Sequence, residues 1–165
     1  MTLTELPQAE RLTAARWVVA RLERSAGFTR ASSGEGALRI RVGDTSAAGA
    51  ADASGSVVTA TLAPDGYVTV ETRTAPPALL VSRDGVRLLP AAPGQCRPTR
   101  MEIGDRLLLC SASALDSAPV GLVDILKMPA LDVLHMNQAA LLHKLLEGTQ
   151  DGAAAVVMRA EAASS

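Results

Sequence analysis

Apolar and polar residues alternate most regularly between residues 37 and 110, and this pattern predicts a run of β-strands. Residues 37–42 place leucine, isoleucine and valine between arginines, as expected for a strand with one solvent-exposed face. A Pro-Asp-Gly triplet at 64–66 separates two later segments and has hairpin composition, because proline presets one φ and glycine accepts a positive one. The strands predicted in this region are 37–42, 57–62, 67–73, 78–82, 86–90 and 106–111.

The last of these strands, residues 106–111, contains a continuous apolar run and is therefore predicted to be covered on both faces. Cys110 lies in that run, so we expect a buried, small hydrophobic side chain there. Asp105 follows Gly104 immediately before the strand. This pair predicts a tight turn in which the carboxylate bonds to nearby backbone.

Apolar residues spaced three and four apart predict helices near both ends of the chain. In residues 4–26 the spacing predicts an N-terminal helix that packs on a sheet and stops at Gly27. In residues 117–147 it predicts two helices, a short one at 119–127 and a longer one at 129–147. The remaining predictions are loops at 29–36, 43–56 and 90–100 and a closing strand at 153–159.

This order of elements predicts an α+β fold with a mainly antiparallel sheet flanked by helices. The chain has 165 residues, a length typical of one domain, so residues 1–165 are expected to form a single domain. Its apolar share of 48% and charged share of 20% are typical of a globular protein. Because the chain has so few aromatic residues, its core must consist of aliphatic side chains.

The charge pattern argues against nucleic acid as a partner. The formal net charge is −1, and the aromatics are one tryptophan, one phenylalanine and one tyrosine, too few for a stacking platform. No apolar stretch is long enough to span a membrane, and the first residues do not resemble a secretory signal. We therefore expect a cytoplasmic protein in which Cys96 and Cys110 are free thiols. His135 and His143 are expected to be solvated or at an interface, eight residues apart on one helix.

Three motifs follow one another in residues 57–159. Residues 73–80 read RTAPPALL, residues 104–114 read GDRLLLCSASA, and residues 151–159 read DGAAAVVMR. In order and spacing they resemble the motifs AGHPPPLLL, GDRLLLYTDGL and DDxALLVLR of the metal-dependent serine/threonine phosphatases of the PP2C (PPM) superfamily. The resemblance is greatest to the bacterial SpoIIE/RsbU branch, and it implies a trimmed version of the PP2C αββα sandwich.

The resemblance also implies where metal ligands would lie. PP2C enzymes hold two Mn²⁺ or Mg²⁺ ions with aspartate carboxylates, and the metals generate the hydroxide that attacks phosphorus. Asp151 matches the closing aspartate of the family. Asp44, within GDTSAAG at 43–49, is similar to the bridging aspartate of the family's GDVSGHG. Residues 43–49 are either a relic of that motif or a plain loop, and the predicted helix 4–26 could stand in for a middle helix of the family.

The departures from the family motifs favour an inactive relative, a pseudophosphatase. Ala112 occupies the position of the TDG aspartate, Ser113 that of the following glycine, Ala75 that of the AGHP histidine, and Gly152 that of the second closing aspartate. None of these four offers a carboxylate. A two-metal site needs several anions, so Asp44 and Asp151 are predicted to be vestigial ligands, with no bound cofactor.

The leading interpretation is therefore a PP2C/SpoIIE-like protein-binding or regulatory module. Its expected partner is a protein, either a sigma-factor regulator or a phosphoprotein, and it could also form a homodimer. One alternative is a divergent Mn²⁺- or Mg²⁺-dependent phosphatase that uses Asp44 and Asp151 with Asp116 or Asp124. Another is a structural module whose likeness to the family is only a remnant.

Overall fold

The computed structural model describes residues 2–5, 16–34, 36–44, 56–90, 97–117, 120–147 and 150–160. Its strands are β1 (Thr2–Glu5), β2 (Arg16–Glu23), β3 (Gly27–Gly34), β4 (Ala37–Asp44), β5 (Val57–Leu62), β6 (Tyr67–Arg73), β7 (Ala78–Ser82), β8 (Gly85–Leu89), β9 (Thr99–Arg100), β10 (Arg106–Cys110) and β11 (Ala153–Ala160). Its helices are α1 (Ala112–Ser117), α2 (Val120–Lys127), α3 (Ala130–His135) and α4 (Gln138–Leu145).

The described strands form two antiparallel sheets. One has six strands in the order β1-β2-β11-β10-β7-β8, and the other has five in the order β3-β4-β5-β6-β9. The Pro-Asp-Gly hairpin joins β5 to β6 as predicted: Gly66 has φ +91°, and the Ala63 N–H donates to the Tyr67 carbonyl at 2.9 Å. The predicted α+β class with a mainly antiparallel sheet is confirmed.

The two sheets pack face to face around an aliphatic core. Alternation places every second residue of β4, β5 and β6 in this layer. Trp17 of β2 is fully buried there, and its indole N–H donates to the carbonyl of Ala63 at 3.2 Å. That bond joins the six-stranded sheet to the β5–β6 turn. The largest fully buried side chains of this layer are Trp17, Ile40, Leu62, Leu80, Met101, Leu107 and Leu109.

The helices cover the other face of the six-stranded sheet. Ile125 of α2, Val133 of α3 and Leu141 of α4 form a second buried cluster against that sheet. Strand β10 contributes to both layers, since Leu107 and Leu109 point into the sandwich while Leu108 and Cys110 point toward the helices. All five residues of β10 are buried, as its continuous apolar sequence predicted. No helix in the described part of the chain is long and apolar enough to cross a membrane.

The predicted N-terminal helix at 4–26 is wrong. The described part of that segment forms strands β1 and β2, and residues 6–15 lie outside the described residues. Strand β2 is inserted between β1 and β11 and is buried on both faces, with Trp17 and Val19 in the sandwich and Ala20 under the helices. A strand covered on both sides has apolar residues at consecutive positions. Spacings of three and four therefore occur in it without helical structure.

Residues 29–36 were predicted to be a loop, but Gly27–Gly34 is strand β3. It is an edge strand of the five-stranded sheet, and its outer residues Arg30 and Ser32 are exposed. A polar edge strand lacks the apolar alternation by which strands are recognised in a sequence. Backbone pairing with β4 from Gly27↔Asp44 to Gly34↔Ala37 forms the strand instead.

The predicted helix at 129–147 is two helices, because the backbone extends at Met136 and Asn137. Met136 has φ −74° and ψ 142°, and Asn137 caps α4 by accepting from the Ala140 N–H at 2.7 Å. Asparagine is a strong N-cap residue, so this break has a local chemical cause. His135 ends α3 and His143 lies in α4, and both are exposed, so they do not share one helix.

Candidate functional site

Asp44 lies at the end of β4 and contacts the first turn of α1, 69 residues away in sequence. Its carboxylate accepts a hydrogen bond from the Ser113 hydroxyl. The Ser113 N–H lies 3.4 Å from Oδ1 and 3.3 Å from Oδ2 of the same carboxylate. Asp44, which resembles the family's bridging aspartate, is thus hydrogen-bonded to Ser113, which occupies the position of the glycine in the family's TDG motif.

Ser111 connects β10, α1 and β11 from the centre of this region. Its fully buried hydroxyl oxygen accepts from the Ala153 N–H at 3.0 Å and from the Ala114 N–H at 3.4 Å. Its own N–H donates to the Ala153 carbonyl at 2.9 Å. Ser111 is therefore the N-cap of α1, and the hydroxyl of Ser113 lies 3.3 Å from its own. Ser111 was not among the residues predicted for this site, although a serine just before a helical segment is the usual signal of an N-cap.

Gly152 leaves no space for a side chain. It has φ +102°, and a Cβ there would lie 2.7 Å from both the Ser111 hydroxyl and the Ala114 Cβ. On its other side, a Cβ on Gly27 would lie 2.2 Å from the Gly152 carbonyl carbon. The backbones of β3, the start of β11 and the first turn of α1 meet here in direct contact. The space that the second closing aspartate of the family would need is thus occupied by Ser111 and Ala114.

Asp151 lies next to this contact. It forms a parallel β-bridge with Ser25, and the Gly152 N–H donates to the Ser25 carbonyl at 2.8 Å. The Asp151 side chain is half-buried and has an interaction partner. Gly27 links it to the other predicted ligand, because Gly27 pairs with Asp44 across β3 and β4 and touches Gly152. The structure therefore brings Asp44 and Asp151 to the same end of the sandwich.

The remaining motif positions lie at this end too. Ala112 begins α1, between Ser111 and Ser113. Ala75 follows the end of β6 and packs against the sandwich core. At that end of the sheet, Arg73 of β6 pairs with Val57 of β5, and Val57 pairs with Gly43 of β4. Ala75 therefore lies at the same end of the molecule as Asp44, two strands away from it.

Within the described ranges, no group of three or more histidine, cysteine, aspartate or glutamate side chains could hold a metal ion. Asp124, an alternative ligand, instead forms an ion pair with Lys144 at 3.1 Å on the helical side. The side chain of Asp116 lies outside the described residues, as does Cys96. Cys110 is a buried free thiol as predicted, and burial raises its pKa to about 12, which makes it unreactive.

Asp105 makes the predicted turn at the opposite end of β10. Its Oδ2 accepts from the Glu102 N–H at 2.9 Å, its N–H donates to the Glu102 carbonyl at 3.0 Å, and Gly104 between them has φ +93°. Burial raises the pKa of the Asp105 carboxyl, and the hydrogen bond from Glu102 opposes that shift. This carboxylate is structural and lies far along the strand from the Asp44 region.

Removing the Asp44 carboxylate is expected to destabilise the fold. We expect Asp44→Ala to lower the free energy of unfolding by about 1–2 kcal/mol, because a carboxylate at a helix N-terminus both accepts N–H bonds and interacts with the helix dipole. Urea denaturation followed by far-UV circular dichroism measures this change.

Ser113→Ala and the double variant complete a cycle for the same contact. If the Asp44–Ser113 pair provides the stabilisation, the two losses should fall short of additivity by about 0.5–1.5 kcal/mol. Additive losses would contradict the pairing and leave Asp44 available for another role.

No protein-family model and no curated protein matches this sequence. Solved structures do match its fold. The RsbU and RsbW domains of Rv1364c from Mycobacterium tuberculosis match with a TM-score of 0.62 at 16% identity, over 93% of this chain and 62% of that one. The PP2C phosphatase domain of SpoIIE from Bacillus subtilis, with a fragment of its regulatory domain, matches with a TM-score of 0.64 at 8% identity, over 90% of this chain and 64% of that one.

The SiaA PP2C domain of Pseudomonas aeruginosa matches with a TM-score of 0.53 at 11% identity, over 87% of this chain and 86% of that one. The chain spans less than two thirds of the length of the first two structures. At these identities the likeness establishes the fold. It is that of the PP2C phosphatase domains of SpoIIE and RsbU, so the resemblance seen in the sequence motifs is confirmed at the level of the fold.

Proposed function

We propose that this chain, which has the fold of a PP2C phosphatase domain, has lost the two-metal site and acts as a protein-binding or regulatory module. The observation that carries the proposal is the bonding of Asp44. Its carboxylate accepts hydrogen bonds from the backbone and side chain of Ser113 at the start of α1. A carboxylate used in this way stabilises a helix end, which is a structural role.

The chemistry of the neighbouring positions supports the same conclusion. Mn²⁺ and Mg²⁺ require anionic oxygen ligands, and a pair of them requires several. Ala112 and Gly152 have no side-chain oxygen, and Ser113 has a neutral hydroxyl that bonds to Asp44. Ser111 and Ala114 also lie so close to Gly152 that no volume is left for a ligand side chain from that position. These residues do not fit a two-metal centre.

A regulatory partner is supported by the kind of protein in which this fold occurs. The matched chain from Mycobacterium tuberculosis carries an RsbU domain together with an RsbW domain. We propose that the partner here is a sigma-factor regulator or a phosphoprotein, and that a homodimer is the assembly to test alongside it. Binding a protein partner requires the folded sheets and helices, but it requires none of the missing carboxylates.

The metal-site proposal is tested with purified protein, Mn²⁺ and a phosphoserine peptide. We expect no release of phosphate above the protein-free blank. We also expect no rise in melting temperature on addition of Mn²⁺, since a ligand that binds only the folded state must raise it. Asp44→Asn is the matched control, because it removes the charge and keeps the shape of the side chain.

The competing function is a divergent metal-dependent phosphatase, which the fold itself favours. Mn²⁺-dependent phosphate release that disappears in Asp44→Asn would establish that activity and overturn our proposal. Activity that is the same in both proteins would point to a contaminating enzyme. A melting temperature raised by Mn²⁺ in the wild type alone would likewise show a working metal site at Asp44.

A further inference from the structure

The outer face of the five-stranded sheet carries a cluster of arginines. Alternation turns the apolar residues of β4 and β5 into the sandwich, so the intervening residues point outward. Helices α2, α3 and α4 pack on the other sheet. We call this outer surface the arginine face, and its central residues are Arg30, Arg39, Arg41, Thr59, Thr61 and Thr69.

The strand register places like charges side by side on the arginine face. Arg30 of β3 pairs directly with Arg41 of β4, and Arg39 lies two residues along β4 on the same side. Directly paired side chains have Cβ atoms about 5 Å apart, and residues i and i+2 of a strand are about 7 Å apart. Both separations are shorter than the Debye length of about 8 Å at physiological salt, so the three guanidinium groups attract an approaching anion together. Arg41 also has an interaction partner within the molecule.

The arginine face is also opposite in charge to the rest of the chain. On this side β3 to β6 carry one glutamate, Glu71, and four arginines, namely Arg30, Arg39, Arg41 and Arg73. Their net charge is +3. The formal net charge of the whole chain is −1, which leaves −4 for everything else. Arg30 and Arg39 are exposed to solvent. Guanidinium groups at such positions bind anionic groups through charge-assisted hydrogen bonds.

We propose that the arginine face binds an acidic segment of a protein partner. The spacing of the arginines along β4 matches that of carboxylates in an extended Glu-Xaa-Glu sequence, which are also about 7 Å apart. Guanidinium groups bind carboxylates in a bidentate manner, and the hydroxyls of Thr59 and Thr61, which pair with Arg41 and Arg39 from the neighbouring strand β5, supply further donors. The inference deepens the proposed protein-binding function by assigning it a surface and a partner chemistry. It does not depend on the Asp44 region.

The test is fluorescence polarisation with a labelled peptide that repeats Ser-Glu, compared with a peptide that repeats Ser-Gln. We expect saturable binding of the acidic peptide alone at about 50 mM salt, weakened at about 300 mM salt by screening. The double variant R30S/R39S should bind about ten-fold more weakly. The variant R83S/R87S is the matched control, because it removes the same charge from exposed positions on the β7–β8 hairpin, and it should change affinity less than two-fold.

Circular dichroism and melting temperatures show that the variants fold, and R30S/R39S should melt close to the wild type because both replaced side chains are exposed. Equal losses in both variants, or no binding of the acidic peptide up to about 1 mM, would overturn the inference. Tighter binding of a single-stranded DNA oligonucleotide than of the peptide, lost in R30S/R39S, would assign the face to nucleic acid instead. A positive phosphatase assay would overturn the loss of the metal site without affecting this result.

Discussion

Gly152→Asp, which restores the family's second closing aspartate, is expected to unfold the Asp44 region and to create no metal site. Its Cβ would lie 2.7 Å from the Ser111 hydroxyl and 2.8 Å from the Ala114 nitrogen, and its backbone would keep a φ of +102°. Left-handed backbone costs a non-glycine residue about 1–2 kcal/mol, and overpacking of a rigid contact adds about 1–3 kcal/mol. Urea denaturation should therefore show a loss of about 2–5 kcal/mol.

Gly104→Ala separates the two contributions. Gly104 has a nearly identical φ of +93°, but nothing lies within 4 Å of a Cβ placed there. We expect it to lose about 1–2 kcal/mol, the backbone contribution alone. If Gly152→Ala were no more destabilising than Gly104→Ala, the close packing of β11 on α1 would be refuted. If Gly152→Asp were stable and bound Mn²⁺, the whole account of the filled ligand position would fail.

Trp17→Ala is expected to have an effect of similar size, for a different reason. The indole is fully buried between the sheets, and deleting a buried tryptophan side chain usually costs about 3–5 kcal/mol. The substitution also leaves the Ala63 carbonyl without its donor at the β5–β6 turn. Domains are stable by only about 5–15 kcal/mol, so the variant should lose a large share of its free energy of unfolding. Urea denaturation followed by far-UV circular dichroism measures this loss. Tryptophan fluorescence cannot report it, because the substitution removes the one tryptophan of the chain.

Trp17→Phe is the conservative control. It keeps an aromatic ring in the core and removes the indole N–H, so we expect an intermediate loss of about 1–2 kcal/mol. Equal stability of Trp17→Ala and wild type would show that β2 does not pack in the sandwich. That outcome would instead support the helix that the sequence pattern predicted for residues 4–26.

Much of the sheet could be predicted because its strands are buried on one face only. Strands β4, β5 and β6 alternate core side chains with exposed ones, and this period of two is visible in the sequence. Strand β2 is covered on both faces and β3 carries a polar edge, so neither has that period. The prediction failed at these two strands because pairing partners determine them, and pairing is a property of the whole sheet.

The motif resemblance named the residues of the candidate site, but it did not predict how they bond to one another. The sequence identified Asp44 and Asp151 as the carboxylates of interest and Ala112 and Gly152 as positions without ligands. It gave no indication that Asp44 bonds to Ser113, because the two are 69 residues apart. It also gave no indication that Ser111 would connect three elements, because a lone serine has no periodicity that could reveal its partners.

The amino-acid sequence by itself determined the fold class, most of the strands and the absence of carboxylates at two motif positions. These follow from side-chain periodicity and residue identity, which are local properties. Only the tertiary structure decided that Asp44 bonds to the first turn of α1, that Ser111 and Ala114 occupy the space next to Gly152, and that Arg30 and Arg41 lie side by side. Each of these depends on strands and helices meeting across long sequence separations, where register and close packing determine which groups touch.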